Sequence, residues 1–274
     1  MSKSLKANSD LIPPHLHSGS SVAAHHWGKI TALLPLCGIS LWQAGLNALG
    51  IFAASLIGGL AAEILTEIFL KKKIKLLDGS SVLNSLLFAL MVPPHAPYGM
   101  AAAGAFFGLL IGREIFGGLA AGPFLPALVG RVFLESCFPR VFLPQAVIFG
   151  NGWLAVIAIL AGTVFLFSRK LIFWEAPLLY LAVLSILFLP SEAGIRAVLF
   201  SPFVLFSAFF LLTDPASAPL SVLGRRIFAG IAGMAVFLFN PEGASAPFVY
   251  ALLTAEILTP WLDRLIRPSA ARSL

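Results

Sequence analysis

The residues of this 274-residue chain that could do chemistry are acids and bases set inside apolar runs. Glu63, Glu67, Arg131, Glu135 and Glu256 lie within such runs, and Asp78, Glu114, Asp214 and Asp263 lie at their ends. An ionisable group in an apolar segment is costly and by default suggests a site. Arg131 and Glu135 stand four apart, so they can pair on one helical face. Glu63 and Glu67 share that spacing with like charge. Glu67, beside the KKKIK loop, is expected at an interface. Glu63 lies a turn deeper and suits a proton or cation site, or a hydrogen-bond anchor to a neighbouring helix. Glu256, in LLTAEILTP, carries the same two readings. Asp78-Gly79-Ser80-Ser81 can cap a helix start or present polar atoms to a ligand. Thr213-Asp214-Pro215, followed by Ser217, Ser221 and Arg225-Arg226, suits a phosphate or ribityl chain, or a capped turn with a basic rim. His15, His17, His25 and His26 are a weak zinc signal, because no carboxylate or cysteine is fixed nearby. Cys37 and Cys137 sit far apart in apolar runs and read as small hydrophobes. Phosphate-binding P-loop, paired CxxC and Gly-x-Ser-x-Gly patterns are absent.

The elements that position these residues are membrane helices. The chain is 59% hydrophobic and 11% charged, with a mean hydropathy of +0.95, whereas soluble domains carry roughly a quarter charged residues. The fold class expected is an all-α polytopic membrane protein. Ten segments are expected, over 30–46, 48–69, 80–93, 97–115, 123–138, 148–168, 172–190, 197–213, 224–239 and 246–262. Residues 1–27 read as a cytoplasmic tail, with no apolar run of a signal peptide, and 28–274 as one transmembrane domain. Segments 80–93 and 197–213 are short and end in proline clusters, which suggests half-helices or tilted spans.

Alternating the segments from a cytoplasmic N-terminus puts fifteen Lys and Arg, among them Lys29, Arg113 and Arg225, on the cytoplasmic side. Two, Arg140 and Arg196, fall outside. That bias supports cytoplasmic termini and explains the net charge of +6 without nucleic acid. FALMVPPHAP from Phe88 and FFLLTDPASAP from Phe209 share an apolar run and a proline turn. On opposite sides of the membrane they suggest an inverted repeat with broken helices.

Four longer stretches carry a family resemblance. LLDGSSVLNSLLFALMVPPHAPYGM, FGGLAAGPFLPALVGRVF, FFLLTDPASAPLSVLGRRIFAGIAG and NPEGASAPFVYALLTAEILTPWLDRLIRP occur in this order across nearly the whole chain. They resemble stretches of the D subunit of the Rnf ion-translocating electron transport complex and the B subunit of the sodium-translocating NADH:quinone reductase. The resemblance implies a ten-helix membrane subunit that works with partner subunits and couples electron flow to Na+ or H+ movement in the cell inner membrane. It also implies flavin, part of it FMN joined through phosphate to a Thr of an S/T-G-A-T motif in a long loop after the helix of the FGGLAAGPFLPALVGRVF stretch.

The chain departs from that pattern. Phe138 leads through PRVFLPQAVIFGNG directly into the next segment, and no S/T-G-A-T string occurs. No covalent FMN is expected. Two Asn of the family are replaced in Gly122-Pro123-Phe124-Leu125-Pro126, and another by Glu256. A non-covalent flavin (riboflavin or FMN) would be held by Asp78, Ser80, Thr213, Asp214 and Arg225, and an ion path would run by Glu63, Arg131 and Glu256. The alternatives are a flavin supplied by a partner, or a stand-alone ion or small-solute channel without redox activity.

Overall fold

A computed structural model describes residues 22–69, 78–118, 122–142, 147–190, 200–239 and 246–266. The tail histidines His15 and His17, the KKKIK loop, Arg196 and the C-terminal Arg267 and Arg272 lie outside these residues. The described residues hold ten α-helices and no strand. They are α1 (Val22–Ala44), α2 (Leu46–Phe69), α3 (Ser80–Met91), α4 (Tyr98–Leu109), α5 (Pro126–Cys137), α6 (Trp153–Ser168), α7 (Glu175–Leu187), α8 (Pro202–Phe206), α9 (Val222–Phe239) and α10 (Ala246–Leu265). Each overlaps one of the ten apolar segments. The first begins earlier than the apolar run does, at Val22, because the polar residues His25, His26 and Lys29 are helical too.

Two helices, α2 and α9, are long and apolar enough by themselves to cross a membrane. α3 and α5 have 12 residues each. At 1.5 Å per residue that is about 18 Å, well short of a ~30 Å hydrocarbon core. α3 stops where the sequence says it must: Val92 turns extended before Pro93-Pro94. α5 opens on Pro126, where a missing N–H is harmless.

α4 and α8 each continue into a π-helical turn, Leu110–Glu114 and Ser207–Leu211. The wider hydrogen bonds Ile115 N–H to Leu110 O (3.0 Å) and Leu212 N–H to Ser207 O (2.9 Å) mark them. Such turns place more consecutive side chains on one face than an α-turn does. Gly112, Arg113 and Glu114 are accordingly all buried.

The packing recurs between the first five helices and the last five. In each set the second helix packs on the fourth, the fourth on the fifth, and the first on the third: α2 on α4, α4 on α5, α1 on α3; then α7 on α9, α9 on α10, α6 on α8. The sets meet through α1 with α6 and α5 with α10. The core is rich in phenylalanine, with Phe88, Phe149, Phe206, Phe210 and Phe228 fully buried. The outer surface is apolar as well: Trp42, Leu46, Ile57, Val164, Ile186 and Leu238 are all exposed. A water-facing surface does not carry so many large apolar side chains.

Helices cross closely where small residues permit it. At the junction of the two sets, a side chain on Gly162 of α6 would strike the Ala32 backbone carbonyl of α1. Gly162→Leu is therefore expected to lower stability by ~1–3 kcal/mol, the usual cost of overpacking. Gly230→Leu, where nothing lies within 4 Å, should leave it nearly unchanged. Thermal melts of both variants in detergent check the contrast.

Candidate functional site

Charged side chains gather at the N-terminal ends of α3 and α5. α3 starts from Gly79 in the left-handed region (φ 73°), a conformation glycine adopts without penalty. Asp78 Oδ1 accepts from the Ser80 backbone N–H at 2.9 Å, the short-range cap its position suggested. His26 Nδ1 lies 2.9 Å from the Asp78 carbonyl, which ties the start of α1 to this turn.

Arg113 is the centre of the first cluster. The π-turn at the end of α4 aims its guanidinium inward, where it is buried. Its Nη2 donates to Glu63 Oε1 at 2.7 Å, its Nε to Glu114 Oε1 at 2.7 Å, and its Nη1 to the hydroxyls of Ser80 (2.6 Å) and Ser81 (3.2 Å). One planar fork thus clamps α2, α3 and α4 together. A second cluster pairs Lys29 of α1, 1% exposed, with the turn after α8. Lys29 Nζ donates to Asp214 Oδ1 at 3.1 Å and to the Thr213 carbonyl at 3.2 Å. Across the helices, Glu256 of α10 accepts the Leu125 N–H at 2.9 Å. That caps α5 at the position where its first amides have no helical partner. The Ser217 hydroxyl lies beside the same carboxyl.

Between the two clusters lies a cavity of about 300 Å³. His25, Ser80, Asn84, Arg113, Phe124 and Asp214 are among its lining residues. Two buried polar atoms on this wall have no partner, Asn84 Oδ1 and His25 Nε2. Buried polar atoms are nearly always hydrogen-bonded, to protein, ordered water or a ligand. Glu63 also keeps one buried oxygen unbonded, Oε2, just behind Arg113. Among the described residues no three His, Cys, Asp or Glu side chains meet as metal ligands.

The expected site residues divide. Ser80 and Asp214 line this cavity, Asp78 caps the helix at its edge, and Glu63 reaches it through Arg113. Glu256 stands behind α5, next to Ser217 of the Asp214 turn. Thr213 and Arg225 line a second, smaller cavity of about 180 Å³ on the other side of that turn. The Thr213 hydroxyl is turned back onto the Phe209 carbonyl (2.6 Å). Asp263 accepts the Leu220 N–H at 3.0 Å, a structural link between α10 and the same turn.

Arg131 belongs to neither cavity. It is buried at the far end of α3, where its Nη1 donates to the Met91 carbonyl (2.6 Å) and its guanidinium covers the Phe142 ring at 4.1 Å. Glu135 approaches its Nε to 3.4 Å, without hydrogen-bond geometry. The three residues named for an ion path are thus not contiguous.

Two residues central to the site, Lys29 and Arg113, count by sequence as cytoplasmic-side positives, and Arg225 with them, yet all three are buried. Glu67, expected at an interface, is buried too. Their partners lie 185 residues away for Lys29 and 50 for Arg113, beyond any local spacing rule. The available signal is Arg113-Glu114 itself, a charged pair between the apolar LLIG and IFGG.

The chain matches the model of the NQR2, RnfD, RnfE family over residues 11–149 and 142–272. It is similar to the D subunit of the ion-translocating oxidoreductase complex of Methanosarcina acetivorans, 28% identical over 92% of this chain and 92% of the relative. It is also similar to the D subunit of the Na(+)-translocating ferredoxin:NAD(+) oxidoreductase complex of Acetobacterium woodii, 28% identical over 92% of this chain and 91% of that one. With the D subunit of the ion-translocating oxidoreductase complex of Actinobacillus succinogenes it shares 26% identity over 94% of this chain and 96% of that one. This last alignment runs over 346 positions, more than this chain has residues, so the longer relative carries insertions. Matched from near one end to the other, the chain belongs to the NQR2, RnfD, RnfE family.

Proposed function

We propose that this chain is a membrane subunit of an Rnf-type ion-translocating electron transport complex and holds a non-covalent flavin in the cavity between Arg113 and Asp214. Full-length similarity to the D subunits of such complexes supports the assembly. The observation that carries the site is the pair of orphaned polar atoms, Asn84 Oδ1 and His25 Nε2, on residues of a cavity whose wall also holds Ser80, Arg113 and Asp214 among apolar groups and Phe124. A flat heterocycle with polar edges fits that lining. A bound flavin supplies one- and two-electron redox chemistry. The amides at the start of α3 favour negative charge at its edge, and Phe124 offers a ring face.

In this reading the ten helices are embedded in the cell inner membrane with both termini cytoplasmic. The repeated packing of the two five-helix sets supports an inverted repeat in which short α3 and α8 end inside the bilayer. The cation carried is Na+ or H+, and Glu63 and Glu256, buried carboxylates on either flank of the cavity, are the groups that would respond to it.

The second reading is a stand-alone channel on the same scaffold. Glu63 and Glu256 favour it, as does the direct passage from Phe138 toward α6. Affinity purification of the tagged full chain from its native membrane separates the two. Recovery with partner subunits and ferredoxin- or NADH-driven electron transfer is expected. A chain that purifies alone and passes ions in liposomes without an electron donor would establish the channel instead.

A further inference from the structure

The second cavity carries a site of its own. Its floor is the turn over residues 213–218, whose opposite side faces the larger cavity, and Pro215 contributes to both. Its one charged lining residue is Arg225, in the first turn of α9 and 8% exposed. The guanidinium lies over the Phe173 ring at 3.9 Å, and Nη1 donates to the Leu220 carbonyl at 3.0 Å. Its Nε is buried and has no partner. Among the described residues no carboxylate stands within ion-pair distance of it: Asp214 is held by Lys29, and Asp263 by the Leu220 N–H.

A buried arginine with an unused donor and no counter-charge is costly to leave alone. Held over an aromatic ring on one side, its fork matches the paired oxygens of a phosphate. The surroundings say where such an anion would come from. Arg169, Lys170 and Arg226 are exposed around the cavity's elements, beside exposed Phe173, Trp174 and Leu220. Basic side chains alternating with exposed aromatics mark the headgroup level of a bilayer.

We infer that Arg225 and Phe173 form a binding site for a phosphate anion, taken from an anionic phospholipid headgroup seated in the second cavity. The site is separate from the flavin reading: it uses a different cavity, and it stands whether or not the larger one holds a flavin. A phosphate there would hold the turn that carries Asp214 from its outer side.

The test uses the full chain, stripped of lipid in detergent and titrated with dioleoyl-phosphatidylglycerol or dioleoyl-phosphatidylcholine, with bound lipid counted by native mass spectrometry. Wild type should prefer the anionic lipid. Arg225→Gln should weaken phosphatidylglycerol binding about tenfold, the scale of one lost charge-assisted hydrogen bond. Arg226→Gln, which removes the same charge from the exposed neighbour, should weaken it only about fivefold or less, the ordinary surface attraction. Phe173→Leu should fall between wild type and Arg225→Gln. It also serves where the arginine variant does not fold. Inorganic phosphate that displaces the lipid from wild type, and raises the melting temperature of wild type but not of Arg225→Gln, supports the same phosphate chemistry with the free anion as its source. Equal losses in the two arginine variants, or no preference for the anionic lipid in wild type, would overturn the proposal.

Discussion

Arg113→Gln is expected to destabilise the chain by ~3–5 kcal/mol, the cost of leaving a buried charge without its partner. The guanidinium donates to two carboxylates and two hydroxyls, and every one of those acceptors is buried. Glutamine keeps a short amide but no charge, so Glu63 and Glu114 would face each other uncompensated. Their repulsion falls between α2 and the π-turn of α4, which pack along their length. The companion double variant Arg113→Gln/Glu63→Gln should recover much of the loss, because it removes one of the two stranded charges. Melting of the single and double variants in the same detergent measures this. A double variant no more stable than Arg113→Gln would mean that the pairing with Glu63 contributes little.

The second large effect is expected at Lys29. Lys29→Met should also cost ~3–5 kcal/mol, because Asp214 would lose its only ion-pair partner among the described residues while remaining buried. The effect should extend beyond stability. Lys29 ties α1 to the turn that separates the two cavities, so the variant should loosen the Asp214 side of the larger one. Lys29→Met/Asp214→Asn, with an uncharged pair of similar shape, should be more stable than Lys29→Met alone. A thermodynamic cycle over the four proteins gives the coupling directly. Additive losses would show that the two side chains act independently.

Much of the fold is legible in the residue order, for identifiable reasons. Prolines set several boundaries: Pro93-Pro94 stops α3 and Pro126 starts α5, each at the place where a missing N–H or a restricted neighbour dictates. Apolar run length locates ten segments that coincide with ten helices. The Arg131–Glu135 spacing of four does bring the two side chains together. What cannot be read is pairing over long distance. Counting basic residues treats each Lys and Arg as a marker of sidedness, which holds only for those in water. Lys29, Arg113 and Arg225 satisfy the same count while pointing inward. The π-turn at Leu110–Glu114 makes this possible for Arg113, and no periodicity rule foresees it. The cavity likewise requires five elements from distant parts of the chain: α1, α3, the end of α4, the start of α5 and the Asp214 turn. Only the Ser80 and Asp214 stretches stand out in the residue order. The same geometry separates Thr213 and Arg225 from them, although Thr213 and Asp214 are adjacent in sequence.

The non-covalent flavin proposed against Asn84 and Arg113 has a direct assay. Flavin released when the assembled complex is denatured is counted, with wild type compared to Asn84→Leu. That substitution removes the orphaned Oδ1 from the cavity wall, and with it the Nδ2–H bond to the Ser80 carbonyl (3.0 Å), while every charged side chain of the two ion-pair clusters stays in place. The variant complex, assembled and otherwise intact, should release one flavin fewer per copy of this chain than wild type does. Equal flavin release from wild-type and Asn84→Leu complexes would contradict a flavin at this site.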